Sequence, residues 1–151
     1  IDVAMIFDTW GSLLNDEQYE KFSLRYINKI KNAIANQDIP LIYYVRETGR
    51  KLEALKNLDI DVLGIDSTTD IGVIKKEIGD KFALQGNLDV NILKKDESDI
   101  IAAIKNILIS YGSNSGHIFN LGTGITPDIN PDKVKMLIDN LADISSKFHV
   151  K

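Results

Sequence analysis

The chain has 151 residues, 44% of them hydrophobic and 26% charged, with a formal net charge of −4, ordinary values for one globular domain with a sizeable core. The acidic balance argues against a general nucleic-acid or anionic-membrane surface, which needs clustered Lys and Arg, but it leaves room for a locally basic pocket. There are no cysteines, so disulfides, thiolate metal ligands and Cys nucleophiles are excluded and a cytoplasmic location is expected. No apolar run approaches the ~18 residues of a membrane span.

Five short apolar runs read as strands buried on both faces: VAMIF (3–7), LIYYV (41–45), VLGI (62–65), FALQG (82–86) and HIFNLG (117–122). The first begins almost at Ile1, and the opening residues show no signal-peptide pattern. That abrupt start raises the expectation that coding continues upstream. A helical pattern follows each strand. Over 15–35 the spacing predicts an apolar stripe of Tyr19, Phe22, Tyr26, Ile30 and Ala33. Leu52, Leu55 and Leu58 form the next stripe, then Ile71, Ile74 and Ile78, then Ile101, Ile104 and Leu108. Val134, Leu137, Leu141 and Ile144 form the last. Pro131 suits the first turn of that helix, with Asn130 as its cap. The connection from Gly86 to Ser98 is the longest, and its KKDES run reads as a solvated loop.

Five βα units in one uninterrupted domain predict an α/β fold with a parallel sheet and right-handed crossovers. Two architectures meet that description, an open doubly wound sheet and part of a (βα)8 barrel. An open sheet binds at one switch point, whereas in a barrel every strand end faces one mouth. Here all five strand ends are polar: Asp8 and Thr9, Arg46, Asp66 and Ser67, Asn87 and Asp89, and Thr123. The barrel is therefore preferred, although loops tend to begin with polar residues in any fold.

Standard motifs fail. The Gly122–Thr123–Gly124 run lacks the third glycine of a dinucleotide fingerprint, since position 127 is Pro. No P-loop and no nucleophile elbow occurs. His117 and His149 have no partner at metal-ligand spacing, so both read as structural or exposed and no metal site is expected. The lysine pairs at 75–76 and 94–95 read as solvated faces.

The strand ends nevertheless carry a resemblance. FDTWG (7–11), with EKFSLRYINKI (20–30) in the following helix, resembles the uroporphyrinogen decarboxylase family. So do LEAL (52–55), GIDSTTDIG (64–72), ALQGNLD (83–89) and GHIFNLGTGITPDINP (116–131), in order across nearly the whole chain. The resemblance implies a (βα)8 barrel roughly twice this long, of which residues 1–151 would be strands four to eight. It implies conversion of the four acetate side chains of uroporphyrinogen to methyl groups, giving coproporphyrinogen in haem synthesis, with no cofactor or metal and usually in a homodimer. A pyrrole protonated on carbon is the electron sink for each lost CO₂, so the substrate supplies what a cofactor otherwise would. The protein must hold the macrocycle, bind its pyrrole N–H groups with a carboxylate and set cations near its acidic side chains. The family's key carboxylate and Arg-rich loop lie in the N-terminal half. No catalytic residue is therefore assigned here, and the segment alone is expected to be inactive.

The resemblance also assigns a pocket wall. Thr9 holds the family's Ser/Thr position, where a hydroxyl hydrogen-bonds a substrate carboxylate; a turn cap is the alternative. Arg46 stands where the family often has Lys, and suits either an acidic substrate or a surface ion pair. Asp66 and Asn87 are weaker substrate contacts that also suit bracing of the mouth. Thr123 departs from the family, which usually carries His there. An imidazole can exchange a proton near neutral pH, whereas a threonine hydroxyl can only hydrogen-bond. Thr123 is therefore expected to be a substrate contact and not an acid. The competing readings are a zinc-dependent corrinoid or thiol methyltransferase of the same superfamily, which needs a His and Cys zinc site, and a non-catalytic binding paralogue.

Overall fold

The computed structural model describes residues 1–78 and 80–148. Five strands, β1 (Ala4–Asp8), β2 (Leu41–Val45), β3 (Val62–Gly64), β4 (Ala83–Leu88) and β5 (His117–Leu121), form one sheet in the order β1-β2-β3-β4-β5. All four pairings are parallel. Sequential order with no reversal is the arrangement of a barrel wall. A doubly wound sheet would place later strands on the far side of the first.

The helices are α1 (Asp16–Tyr19), α2 (Arg25–Ile34), α3 (Leu52–Leu55), α4 (Ile71–Ile78), α5 (Glu97–Tyr111) and α6 (Pro131–Phe148). Asn15 and Gln18 form a reciprocal capping box at α1. Asn130 caps α6 by accepting from the Asp132 amide at 2.9 Å, and Pro131 opens the helix as expected. One layer of the core joins Leu41, Tyr43, Leu63 and Leu84 to Ile27, Leu55, Ile71 and Ile74 of the helices. A second gathers Leu88, Ile100, Ile104, Leu108 and Leu137 around β4, α5 and α6.

Several expectations are corrected. Between α1 and α2 the chain makes a π-helical turn, Glu20–Leu24. Its wider spiral shifts the buried face. The stripe becomes Tyr19, Leu24 and Ile27, while Phe22, Tyr26 and Ile30 face solvent. The first strand starts at Ala4, with Ile1 and Val3 exposed. Only β2, β3 and β4 are buried on both faces. β1 and β5 sit at the sheet edges and expose Phe7 and Ile118. The long connection is not a bare loop: β4 runs to Leu88, and a 3-10 helix (Val90–Lys94) buries Val90 and Leu93 before the exposed KKDES run. Lys75 is half-buried rather than fully solvated. It lies 3.8 Å from the Tyr111 ring centroid and donates to the Tyr111 carbonyl. His117 is a packing residue, stacked on Tyr111 at 4.5 Å with Nε2 2.9 Å from the Gly86 carbonyl. His149 lies outside the described residues.

Candidate functional site

Because all five strands are parallel, their C-terminal ends share one edge, which gathers Asp8 and Thr9, Arg46, Asp66, Asn87 and Thr123. Below this edge the inner face of the sheet is concave. Met5 and Phe7 of β1, Tyr44 of β2, Gly64 of β3, Gln85 of β4 and Thr123 after β5 line a hollow of about 60 Å³. A ligand pocket ordinarily occupies ~300–1,000 Å³, so the hollow is one wall of a larger site. A larger groove, about 470 Å³, lies between α5 and α6 among Ile101, Ile109 and Ile144. Those residues are on helices outside the sheet, remote from the strand-end chemistry.

The turn after β1 is held from the helix side. The Asp8 carboxylate accepts from Tyr43 Oη at 2.8 Å and from Ser23 Oγ. Tyr19 Oη lies 2.5 Å from Tyr43 Oη and completes a chain of hydroxyls. Burial pushes both phenols well above their ordinary pKa, so both stay protonated and able to donate. Gly11 leaves room for this carboxylate, since a Cβ there would stand 2.4 Å from Asp8 Oδ2. Asp8 is thus spent on the scaffold. Next to it Thr9, half-buried, lies in the turn that follows the strand, and among the described residues its side chain makes no hydrogen bond.

Asp66 and Asn87 brace the mouth. Asp66, 1% exposed, accepts from the Glu47 and Thr48 amides and from the Thr68 hydroxyl. Asn87 Nδ2 donates to the Asp66 and Thr69 carbonyls at 3.1 and 2.6 Å. These bonds tie the ends of β2, β3 and β4 together and occupy the groups that would otherwise face a ligand. Arg46 is exposed, and among the described residues it makes no ion pair. Its charge lowers the Tyr44 pKa, against the larger upward push of burial.

The two glycines around Thr123 differ. A Cβ on Gly122 would stand 2.4 Å from the Ser67 amide nitrogen, so this glycine makes room for the protein's own backbone. Gly124 faces open space. Thr123 between them is half-buried on the rim of the hollow. Phe7 and Tyr44 escaped the sequence reading. Both sit within runs that look like core strand, and only the alternation of side chains across a strand turns them to the concave face.

The fold and the strand-end site define a partial (βα) barrel whose one mouth carries hydroxyls, a free cation and exposed aromatic surface. The sequence profile of the family described as uroporphyrinogen decarboxylase (URO-D) matches residues 1–144, and the chain belongs to that family. Uroporphyrinogen decarboxylase of Methylococcus capsulatus is 42% identical across 99% of this chain and 43% of its own length. That of Coxiella burnetii is 43% identical across 97% of the chain and 42% of its own. The chain thus spans less than half the length of these relatives. Among solved structures, a methyltransferase from Methanosarcina mazei aligns with a TM-score of 0.80 at 18% identity, over 95% of this chain and 42% of that one; at that identity the likeness concerns the fold.

Proposed function

We propose that residues 1–151 supply strands four to eight of an eight-stranded barrel, and that the whole protein decarboxylates uroporphyrinogen to coproporphyrinogen without a cofactor, as a cytoplasmic homodimer. The observation that carries the reading is the single mouth of hydroxyl, cation and aromatic groups in a chain that belongs to this family. Among the described residues no helix is long and apolar enough to cross a membrane.

The macrocycle lies over the concave face, against Phe7, which is 68% exposed, and the edge of Tyr44. Thr9 and Thr123 each donate a hydrogen bond to a substrate carboxylate, and Arg46 adds a positive charge at the rim. Asp66 and Asn87 hold these groups in place. Each turn of chemistry starts with a pyrrole protonated on carbon, passes the electron pair of the departing CO₂ into that ring, adds a proton to the exocyclic methylene to make the methyl group, and releases the ring-carbon proton to restore the pyrrole. The wall holds and orients the substrate, and the proton chemistry belongs to the opposite half of the barrel. A zinc-dependent methyl transfer would need a cysteine ligand, and the sequence has none.

The test is anaerobic incubation of the full-length protein with uroporphyrinogen. Coproporphyrinogen is expected, preceded by intermediates of decreasing carboxylate number on chromatography. Unchanged uroporphyrinogen from a folded protein would overturn the proposal and favour a binding paralogue.

A further inference from the structure

We propose that Tyr44 is a positioning residue which fixes the turn 122–124, and with it the Thr123 hydroxyl, at the mouth. The inference rests on the reading of that mouth as the substrate site. Tyr44 belongs to β2 and Gly122 follows β5, with β3 and β4 between them. The Tyr44 phenol crosses both strands and donates to the Gly122 carbonyl at 3.0 Å.

Three features make this crossing a built one. Gly64, the partner of Tyr44 in register on β3, leaves its path clear: a Cβ there would meet Tyr44 Cβ at 3.0 Å and Cδ2 at 3.2 Å. Phe7 packs on the other side of the ring, centroids 6.1 Å apart and planes tilted by 57°. Burial raises the Tyr44 pKa, the nearby Asp66 charge raises it further and Arg46 opposes both, so the phenol keeps its proton and acts as donor. Gly122 is held on its other sides too. Its amide donates to the Leu88 carbonyl at 2.7 Å, and a side chain on it would collide with the backbone of Ser67.

The link to Thr123 is the peptide plane. The Gly122 carbonyl and the Thr123 N–H belong to one planar unit. Fixing the direction of that carbonyl fixes the plane from which the Thr123 side chain departs. A phenylalanine at 44 would fill the same space but leave the plane free to rock about the remaining contacts.

The experiment uses the full-length protein in five forms: wild type, Tyr44→Phe, Thr123→Val, the double variant, and Gly64→Ala, which crowds the path of the phenol. In Tyr44→Phe the amides of Gly122 and Thr123 are expected to exchange about tenfold faster, with the amides of Tyr43 and Leu63 unchanged as strand controls. Gly64→Ala is expected to loosen the same amides should Tyr44→Phe fold poorly. The KM for uroporphyrinogen is expected to rise about fivefold in Tyr44→Phe with kcat nearly constant, and the double variant to be no worse than Thr123→Val. Unchanged exchange at Gly122 and Thr123, or KM effects that multiply in the double variant, would overturn the positioning role. The exchange measurement needs no substrate. A wild type that ignores uroporphyrinogen while Tyr44→Phe loosens the turn would refute the proposed activity and support the positioning role.

Discussion

The turns after β1 and β5 stand at opposite edges of the sheet, and each carries a threonine proposed to meet the substrate. They are secured from opposite faces by neighbouring residues of one strand. Tyr43 points to the helices and holds Asp8, beside Thr9. Tyr44 points to the concave face and holds Gly122, beside Thr123. The β1 side has a cluster of hydroxyls backing a carboxylate, with Tyr19 and Ser23 behind Tyr43. The β5 side has one hydroxyl on a backbone carbonyl, plus glycines that let the chain pass close. The β1 brace is therefore an electrostatic and redundant network, whereas the β5 brace joins one phenol and one amide hydrogen bond to a close steric fit at Gly122. Mutations should separate the two.

The largest effect is expected at the steric brace. Gly122→Ala forces a methyl against the Ser67 backbone and should lose about 3 kcal/mol of stability by chemical denaturation, whereas Gly124→Ala, one residue past Thr123, should be nearly neutral. Equal effects at the two positions would remove the distinction. At the electrostatic brace, Asp8→Ala strips the acceptor from Ser23 and Tyr43 and should cost about 2 kcal/mol. Tyr43→Phe should cost about 1 kcal/mol, because Ser23 still holds the carboxylate.

The same variant carries a pH signature. The folded pKa of Tyr43 is raised above the unfolded value near 10. Its contribution is fully present below that value and is lost as pH rises beyond it, because the unfolded chain then binds fewer protons than the folded one. Stability of the wild type should fall with pH above about 10, and Tyr43→Phe should show a slope shallower by about 1.4 kcal/mol per pH unit. An unchanged slope would mean the phenol is not protected. The smallest effect concerns activity. Thr123→His in the full-length protein should change turnover only modestly, since the residue is a contact; a gain of several orders of magnitude would show that an acid is missing there.

Much of the frame was legible in the sequence. Short apolar runs and stripes of period 3.6 set out five βα units, and Asn130 with Pro131 marked the start of α6. Polar strand ends separated the barrel from the open sheet, which the sequential strand order then bore out. The stripe in α2 was misassigned because periodicity assumes an α-helix throughout, and one π turn moves the buried face. Gly122 and Gly124 look alike in sequence because the difference lies in what stands opposite each, namely the backbone of Ser67 or nothing. The two tyrosines of LIYYV were readable only in part. Buried tyrosines require partners and adjacent strand residues face opposite ways, but which atoms receive their hydroxyls depends on residues 35 positions upstream for Tyr43 and 78 downstream for Tyr44.

The most direct measurement of the central claim, that the strand ends form a substrate wall, is anaerobic steady-state kinetics on uroporphyrinogen with Thr9→Val and Thr123→Val in the full-length protein. Each variant is expected to raise KM about tenfold, the loss of one hydrogen bond to a charged group, while leaving kcat within a few-fold of wild type. Unchanged KM in both variants, or a collapse of kcat at constant KM, would contradict the wall.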